Sequence, residues 1–194
     1  MQIPRYNFKQ GIREVETDAM TLKPNQIILI DSLHGLYSDM THGIPKKSKF
    51  KLYIETLCQM KDKSGEFVRW TDLRLLRRMV RDNAQRSYNP LRTVGHWHYV
   101  RRSEMRHIVP FIHTVDYVLN SALPYELPLH KKHTCHLLPE IIKHYKGDPG
   151  RQDAYARSKR LYELLATVAD VEDDSCVPPD ALIREFIGGS CYHY

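Results

Sequence analysis

Residues 71–82 read TDLRLLRRMVRD and form the most clearly periodic stretch of the chain. Four arginines recur there at positions i, i+3, i+4 and i+7, which places them on one face of a helix. They are Arg74, Arg77, Arg78 and Arg81. The apolar residues between them fall on the opposite face and can pack inward. The pattern predicts a helix from Asp72 to about Arg86, with Thr71 as its N-cap and Asp72 favourable in the first turn.

The arginine face of this helix predicts an anion-binding surface. Like charges on neighbouring turns repel by roughly 0.3 kcal/mol per pair, so the arrangement suits a bound anion. A guanidinium group can bind two phosphate oxygens at once. Arg86, Arg101 and Arg102 add to the positive charge of the arginine face. The alternative is a solvated basic face whose arginines pair with acidic side chains of the chain itself. The candidates for that pairing are Asp72, Asp82 and Glu104.

An apolar run, QIILID at residues 26–31, predicts a buried strand that ends in an acid. Ligands of α/β sheets bind beyond the carboxyl ends of the strands, so Asp31 is a candidate Mg²⁺ ligand for phosphoryl transfer. The alternative role of Asp31 is to cap the turn that follows. Near the beginning of the chain, Tyr6 and Phe8 alternate as in a strand and precede Arg13. Such aromatic and basic residues stack on a planar base or pack in a core.

The rest of the chain predicts a mixed architecture. Two further strands are predicted at 50–56 and 116–120. Helices are predicted at 99–114 with a break near Pro110, within 123–145, at 151–169 and at 179–187. The last helix is expected to stop at Gly188. We therefore predict an α/β fold in which residues 1–125 form a core and residues 126–194 form a helical C-terminal extension.

Composition narrows the classes of function. The 194 residues suit about one domain, and 29 basic against 23 acidic residues give a net charge of +6, which suits an anionic partner. We locate that charge on the arginine face. The apolar runs predict neither a membrane span nor a secretory leader, and the four cysteines lack C-x-x-C spacing, so we expect a cytoplasmic protein without a membrane partner. The histidines and the cysteine within 130–136 fit a polar helix face better than a zinc site.

Six segments, taken in order, carry a family resemblance. They are PRYNF at 4–8, LIDSLHGL at 29–36, DLRLLRRMVRD at 72–82, WHYVRR at 97–102, VLNSALPYEL at 118–127 and VPPDALIREFIGGS at 177–190. Together they resemble the uridine kinase and phosphoribulokinase family of P-loop kinases, and most closely its bacterial uridine kinase-like proteins. The arginine block at 72–82 and the terminal block at 177–190 are the specific matches, whereas the strand at 29–36 is common to many folds.

The resemblance implies a P-loop kinase-type parallel sheet with flanking helices and an arginine-rich lid over about 71–105. It implies that ATP, with Mg²⁺ at Asp31, phosphorylates a hydroxyl of a nucleoside (uridine-like) or a related sugar. The roles that it implies are catalysis for Asp31, Arg74, Arg77, Arg81 and Arg86, substrate binding for Tyr6, Phe8, Arg13 and Arg74, and nucleotide binding for Arg78 and Arg81. On this interpretation, Arg77→Ala lowers kcat by more than it lowers folding stability.

The phosphate loop of that family precedes the segments matched here and has no counterpart among the nine glycines. We therefore expect the isolated chain to bind ATP poorly and to be inactive as a kinase. Gly11 stands where uridine kinases place a histidine, which leaves the acceptor open. One alternative is a noncatalytic module whose arginine face binds a nucleotide or, with less support, nucleic acid. Another is a structural remnant that completes another subunit, including a homo-oligomer.

Overall fold

A computed structural model describes residues 2–7, 11–19, 21–85 and 88–192. Over these residues the chain is mixed α/β and about half helical, with two pairs of strands. The strands are β1 (Gln2–Asn7), β2 (Ile12–Ala19), β3 (Leu52–Glu55) and β4 (Tyr117–Asn120). The helices are α1 (Trp70–Gln85), α2 (Pro90–His107), α3 (Glu126–Thr134), α4 (Leu138–Tyr145), α5 (Gln152–Ala166) and α6 (Arg184–Ile187).

The strands β1 and β2 form an antiparallel hairpin. Tyr6 lies opposite Arg13 in its register. Gly11 precedes the second strand with a φ of 69°, a conformation that glycine adopts without steric cost. The strand-like alternation predicted around Tyr6 is confirmed for the backbone, whereas Phe8 lies outside the described residues.

The strands β3 and β4 pair in parallel and confirm the two strands predicted in this part of the chain. Leu52 lies opposite Tyr117 at one end, and Glu55 lies opposite Asn120 at the other. Parallel neighbours require a long crossover, and the connection between these two contains both α1 and α2. Both strands therefore point their carboxyl ends in the same direction, and the chain passes from β3 toward α1.

The buried strand predicted at 26–31 is wrong. These residues form a loop in which the side chains of Ile27 and Leu29 are 91% and 89% exposed. Asn25, with a φ of 67°, turns the chain just before the run. A buried strand needs neighbouring strands, and in the described part of the chain no strand pairs with this run. Asp31 consequently lies in an exposed loop and not at the end of a strand.

The helix α1 confirms the predicted arginine helix. It begins at Trp70, so Thr71 lies inside the first turn and its predicted role as N-cap is wrong. The backbone N–H groups of Asp72 and Leu73 donate to the carbonyl oxygen of Arg69, over 2.8 and 3.3 Å. Asp72 does lie in the first turn, where a carboxylate is favourable to the helix dipole.

The helix α2 begins well before its predicted start. Asn89 is the N-cap, and its side chain accepts the backbone N–H of Leu91 over 2.8 Å. Pro90 occupies the first helical position, where its missing N–H costs no hydrogen bond. Pro110 lies in a 3-10 turn that follows the helix, so the predicted break is confirmed.

The C-terminal helices follow the prediction with two differences. A 3-10 turn at Cys135–Leu137 divides the helix predicted within 123–145 into α3 and α4. The helix predicted at 151–169 is confirmed as α5. The helix predicted at 179–187 is reduced to the short α6, which ends at Gly188 with a φ of 90°. None of the described helices is long and apolar enough to cross a membrane.

The hydrophobic core is built around α1. The apolar face of this helix is completely buried through Leu73, Leu75, Leu76 and Met79. These side chains share one cluster with residues of α2, α4 and α5. A smaller cluster joins Val80 to the end of the chain around α6. Helices before and after residue 125 therefore share a core, and the boundary there stays a prediction.

Candidate functional site

The arginine face of α1 meets the carboxyl ends of the parallel strands. At the end of β3, Oε2 of Glu55 lies 3.3 Å from Nη1 of Arg74. Just beyond β4, the carbonyl oxygen of Ser121 accepts a hydrogen bond from Nη2 of Arg77 over 2.6 Å. The carboxyl ends of parallel strands are where α/β folds bind their ligands. We call Glu55, Ser121, Arg74 and Arg77 the strand-end site.

Arg74 belongs to a charge-balanced network. Besides Glu55 it contacts Glu104 of α2, with Nη2 2.5 Å from Oε1. Arg101 pairs with the same carboxylate, so two arginines face two glutamates. The hydroxyl of Tyr53 donates to Oε2 of Glu55 over 3.0 Å, and burial beside this carboxylate raises the pKa of the Tyr53 phenol. The Arg74 side chain remains 23% exposed, but its charge is compensated.

Arg77 is held in place by hydrogen bonds to Glu126 and Ser121. It is 7% exposed, and its Nε and Nη2 donate to the two carboxylate oxygens of Glu126 over 2.7 and 3.0 Å. Glu126 is completely buried and also accepts the backbone N–H of Leu123 over 2.8 Å. Its Oε2 lies 3.1 Å from Nε2 of His130, which is buried as well. We call Arg77, Glu126 and His130 the buried triad.

Burial and charge determine the protonation of the buried triad. Burial by itself raises the pKa of the Glu126 carboxyl, but hydrogen bonds from His130 and Arg77 and the Arg77 charge outweigh it, so this pKa is lowered. Burial lowers the pKa of His130, and the neighbouring carboxylate opposes that shift only in part. Glu126 is therefore ionised and His130 neutral, with its Nε2–H donating to Glu126. One buried cation faces one buried anion, as a stable buried pair requires.

The remaining two arginines of the face pair near the end of α1. Nε of Arg78 lies 3.1 Å from Oδ2 of Asp82, and Nη1 of Arg81 lies 3.6 Å from Oε1 of Glu185 in α6. Their side chains are 35% and 27% exposed. Because α6 belongs to the terminal block at 177–190, the two segments that carry the family resemblance most specifically are in contact.

The acidic partners of the arginine face are mostly distant in sequence. Asp82 and Glu104, two of the three candidates from sequence, do pair with it. Asp72 instead forms two hydrogen bonds of 2.7 Å with Arg160 and so joins α5 to α1. Glu126 was not a candidate, because no local spacing connects it with an arginine 49 residues earlier. The face is thus partly exposed and paired with acids of the chain itself.

The other predicted site residues belong to different parts of the fold. Asp31 is exposed in the loop between β2 and β3. Arg13 is exposed in the hairpin, opposite Tyr6. Phe8 and Arg86 lie outside the described residues. The structure therefore brings the four arginines of α1 together with the strand ends, and it places Asp31, Tyr6 and Arg13 in a loop and a hairpin outside this set.

The Mg²⁺ that the resemblance implies does not fit a site made by the described residues alone. Among them, no three His, Cys, Asp or Glu side chains are grouped to hold a metal ion. Asp31 offers a single exposed carboxylate, and a hard cation with one protein ligand depends on phosphate oxygens of the substrate. In the histidine-rich stretch, His130 is buried in the triad whereas His136 is exposed.

Comparison with known proteins identifies no relative. No family model, no curated protein and no solved structure matches the chain. The strand-end site and the sequence motifs are therefore the features that bear on the function of the chain.

Proposed function

We propose that this chain is part of a phosphotransferase that uses ATP and Mg²⁺ to phosphorylate a hydroxyl of a nucleoside or a related sugar. The observation that carries the proposal is the strand-end site, where Arg74 and Arg77 meet the carboxyl ends of two parallel strands. Phosphate-bearing ligands of α/β proteins bind at this edge, and guanidinium groups suit phosphate oxygens. The resemblance to uridine kinase-like proteins supports the same function.

Arg74 and Arg78 are the arginines that we assign to the phosphates. Their side chains are 23% and 35% exposed, so a ligand can reach them from solvent. Negative charge spreads over the oxygens of the transferred group during phosphoryl transfer, and fixed cations stabilise it. Arg81, which is 27% exposed on the same face, and Arg86 extend this set on the strength of the resemblance.

Arg77 is assigned a positioning role. Its guanidinium is buried and occupied by Glu126 and Ser121, so it connects α1 both to the residue after β4 and to α3. This connection holds the helix that carries Arg74 and Arg78 against the strand ends. A shift of such a helix by about 1 Å is enough to lower the rate of an enzyme about 100-fold.

The residues that we assign to the acceptor substrate are Asp31, Tyr6, Phe8 and Arg13. Mg²⁺ brought in with ATP would supply charge neutralisation at the phosphates, with the substrate's own oxygens as most of its ligands. The exposed carboxylate of Asp31 would be one ligand of that ion, or would accept a hydrogen bond from the acceptor hydroxyl. The hairpin sets Tyr6 opposite Arg13, and an aromatic residue with a basic one suits the base or sugar of a nucleoside.

The test is phosphoryl transfer by the protein expressed from its complete natural gene. ATP labelled on the γ-phosphoryl group is incubated with Mg²⁺ and a panel of nucleosides, sugars and sugar phosphates, and labelled products are separated. The expected result is a labelled ester of at least one acceptor that disappears when EDTA removes Mg²⁺. Absence of labelled product from every acceptor would contradict the proposal.

Exposed apolar side chains favour a second candidate function, in which the chain completes a homo-oligomer. Ile54 and Leu119 in the parallel strands are 53% and 42% exposed, and Ile27 and Leu29 in the preceding loop are exposed almost entirely. Ile54 and Leu119 are neighbours in the strand register, and exposed apolar side chains that lie together mark protein interfaces. Sedimentation across a dilution series separates the outcomes: an oligomer that persists on dilution supports this candidate, and a monomer at every concentration contradicts it.

A further inference from the structure

A basic pocket lies at the opposite end of the parallel strands, where β3 and β4 begin. It has a volume of about 480 Å³. The 3-10 turn at Lys46–Ser48 and the following residues form one side, and the segment between the 3-10 turn at Val109–Thr114 and β4 forms the other. Its polar lining consists of Lys46, Lys49, Lys51, His113, Thr114 and Asp116. Three lysines and one histidine therefore line a single concavity.

Neutral oxygens hold two lysines of the basic pocket, Lys49 and Lys51, in place. Nζ of Lys49 donates to the carbonyl oxygen of Thr41 over 2.7 Å and to its Oγ1 over 3.1 Å. Nζ of Lys51 lies 3.4 Å from Oγ1 of Thr114. Such partners fix the position of an ammonium group without cancelling its charge, and each ammonium has three N–H donors to offer. Lys49 and Lys51 are thus positioned before any ligand arrives.

The carboxylate in the pocket lining accepts a hydrogen bond from the backbone. Oδ2 of Asp116 accepts the backbone N–H of Lys51 over 2.8 Å, and the backbone N–H of Asp116 donates to the carbonyl oxygen of Lys51 over 2.9 Å. These two bonds join the beginnings of β3 and β4. One carboxylate facing three lysines leaves a net positive charge in the concavity, unlike the arginine network around Glu55 and Glu104.

We propose that the basic pocket binds a small molecule bearing phosphate groups with at least two negative charges. Lysine acts on phosphate as a point charge. Three lysines therefore suit a ligand with several negative charges better than a ligand with one carboxylate. The volume lies within the range of small-molecule sites, about 300–1,000 Å³. A concave site favours a compact ligand over a nucleic-acid backbone, which is bound along an extended basic surface.

The basic pocket is separate from the strand-end site. The four residues of β3 lie between them, and at about 3.3 Å per residue they span roughly 10 Å. A phosphate in the basic pocket therefore does not occupy the position that the proposed function gives to the transferred group. The inference holds whether or not the chain belongs to a kinase.

The experiment is calorimetric titration of the full chain with inorganic pyrophosphate at low ionic strength. Wild type is expected to bind pyrophosphate saturably with one site. Lys46→Gln removes one ammonium group from an exposed position, so the fold is retained, and it is expected to weaken binding about 10-fold. Adding Lys51→Gln is expected to weaken binding further, to about 100-fold in total.

The matched control is the double variant Lys63→Gln and Lys146→Gln, which removes the same charge from exposed lysines outside the pocket lining. It is expected to change the affinity by less than about twofold, because these two lysines do not line the pocket and act on the ligand only through intervening water. An equal loss in both double variants overturns the proposal in favour of diffuse surface charge, and so does the lack of saturable binding by wild type. An oligonucleotide that binds more tightly than pyrophosphate and depends on Lys46 overturns it in favour of nucleic acid. If the variant with both Lys46→Gln and Lys51→Gln unfolds, the affinity of the Lys46→Gln variant alone tests the proposal.

Discussion

At the scale of single residues, the arginines of α1 differ in what they are free to do. Arg77 is buried with its guanidinium bound to Glu126 and Ser121, whereas Arg78 is one-third exposed beside Asp82. Two arginines on the same helix face therefore have different roles. Arg77 joins elements in the interior, whereas Arg78 presents a positive charge at the surface. Sequence spacing places these residues on one face but does not separate the two roles.

Arg77→Ala is expected to lower the free energy of unfolding by about 3–5 kcal/mol, because Glu126 is left buried and without its cationic partner. Urea unfolding followed by circular dichroism measures the change. The double variant Arg77→Met and Glu126→Gln removes both charges and is expected to lose less. A single variant within about 1 kcal/mol of wild type, the scale of an exposed pair, would contradict the structural role. The expectation from sequence that this substitution lowers kcat by more than it lowers folding stability stays a prediction, and the burial of Arg77 adds a large expected loss of stability.

The buried triad predicts a loss of stability in acid. The pKa of His130 is below its ordinary value of 6.5 in the folded state, so the unfolded chain binds that proton more readily and stability falls below about pH 6.5. The pKa of Glu126 is below its ordinary value of 4.5, so a second loss begins as the pH falls below about 4.5. Urea unfolding at a series of pH values measures both steps. His130→Gln should flatten the first step, and an unchanged pH profile would refute its assignment.

At the scale of elements, close approach of α2 and α4 depends on a glycine. Tyr145 of α4 reaches across to α2, where its hydroxyl donates to the carbonyl oxygen of Leu91 over 2.9 Å. A Cβ added at Gly95 would lie 3.1 Å from Cζ of Tyr145 and overlap its hydroxyl oxygen. The two helices are therefore packed more closely than any side chain at position 95 permits.

Gly95→Ala is expected to destabilise the fold by about 1–3 kcal/mol through overpacking, although alanine favours a helix by about 1 kcal/mol. Thermal unfolding measures the difference. Gly43→Ala is the control, because a Cβ there meets nothing within 4 Å. Combining Gly95→Ala with Tyr145→Phe should restore part of the loss. A Gly95→Ala variant more stable than wild type would show that α2 and α4 can separate without cost.

Elements defined by local pattern were predicted well, and those that depend on distant partners were not. The helix α1 confirms the prediction from the periodicity of residues 72–82, and β3 confirms the prediction from the alternation before Glu55. Both elements were predictable because the pattern that specifies them lies within their own sequence. The run at 26–31 has strand-like composition, but composition does not supply a neighbouring strand. Asn89-Pro90 is a local signal for the start of α2, because asparagine caps helices and proline suits the first helical position. The pairing of Arg77 with Glu126 joins residues 49 apart, which spacing does not reveal.

At the scale of the whole molecule, the net charge of +6 is distributed differently from the sequence-based expectation. The arginine face of α1 was expected to carry the excess, but its arginines face carboxylates from β3, α1, α2, α3 and α6. Lys49 and Lys51 of the basic pocket are held by neutral oxygens instead. The parallel strands thus separate a charge-balanced arginine site at their carboxyl ends from a cationic pocket at their amino ends.

We propose that the exposed arginines of α1 stabilise a phosphate during transfer, and steady-state kinetics of the protein expressed from its natural gene is the decisive measurement. Arg78→Ala is compared with Arg106→Ala, which removes an exposed arginine near the end of α2. We predict that Arg78→Ala lowers kcat/KM for transfer from ATP by about 100-fold, mainly through kcat, while Arg106→Ala changes it by less than about twofold. An Arg78→Ala variant as active as wild type would contradict the claim.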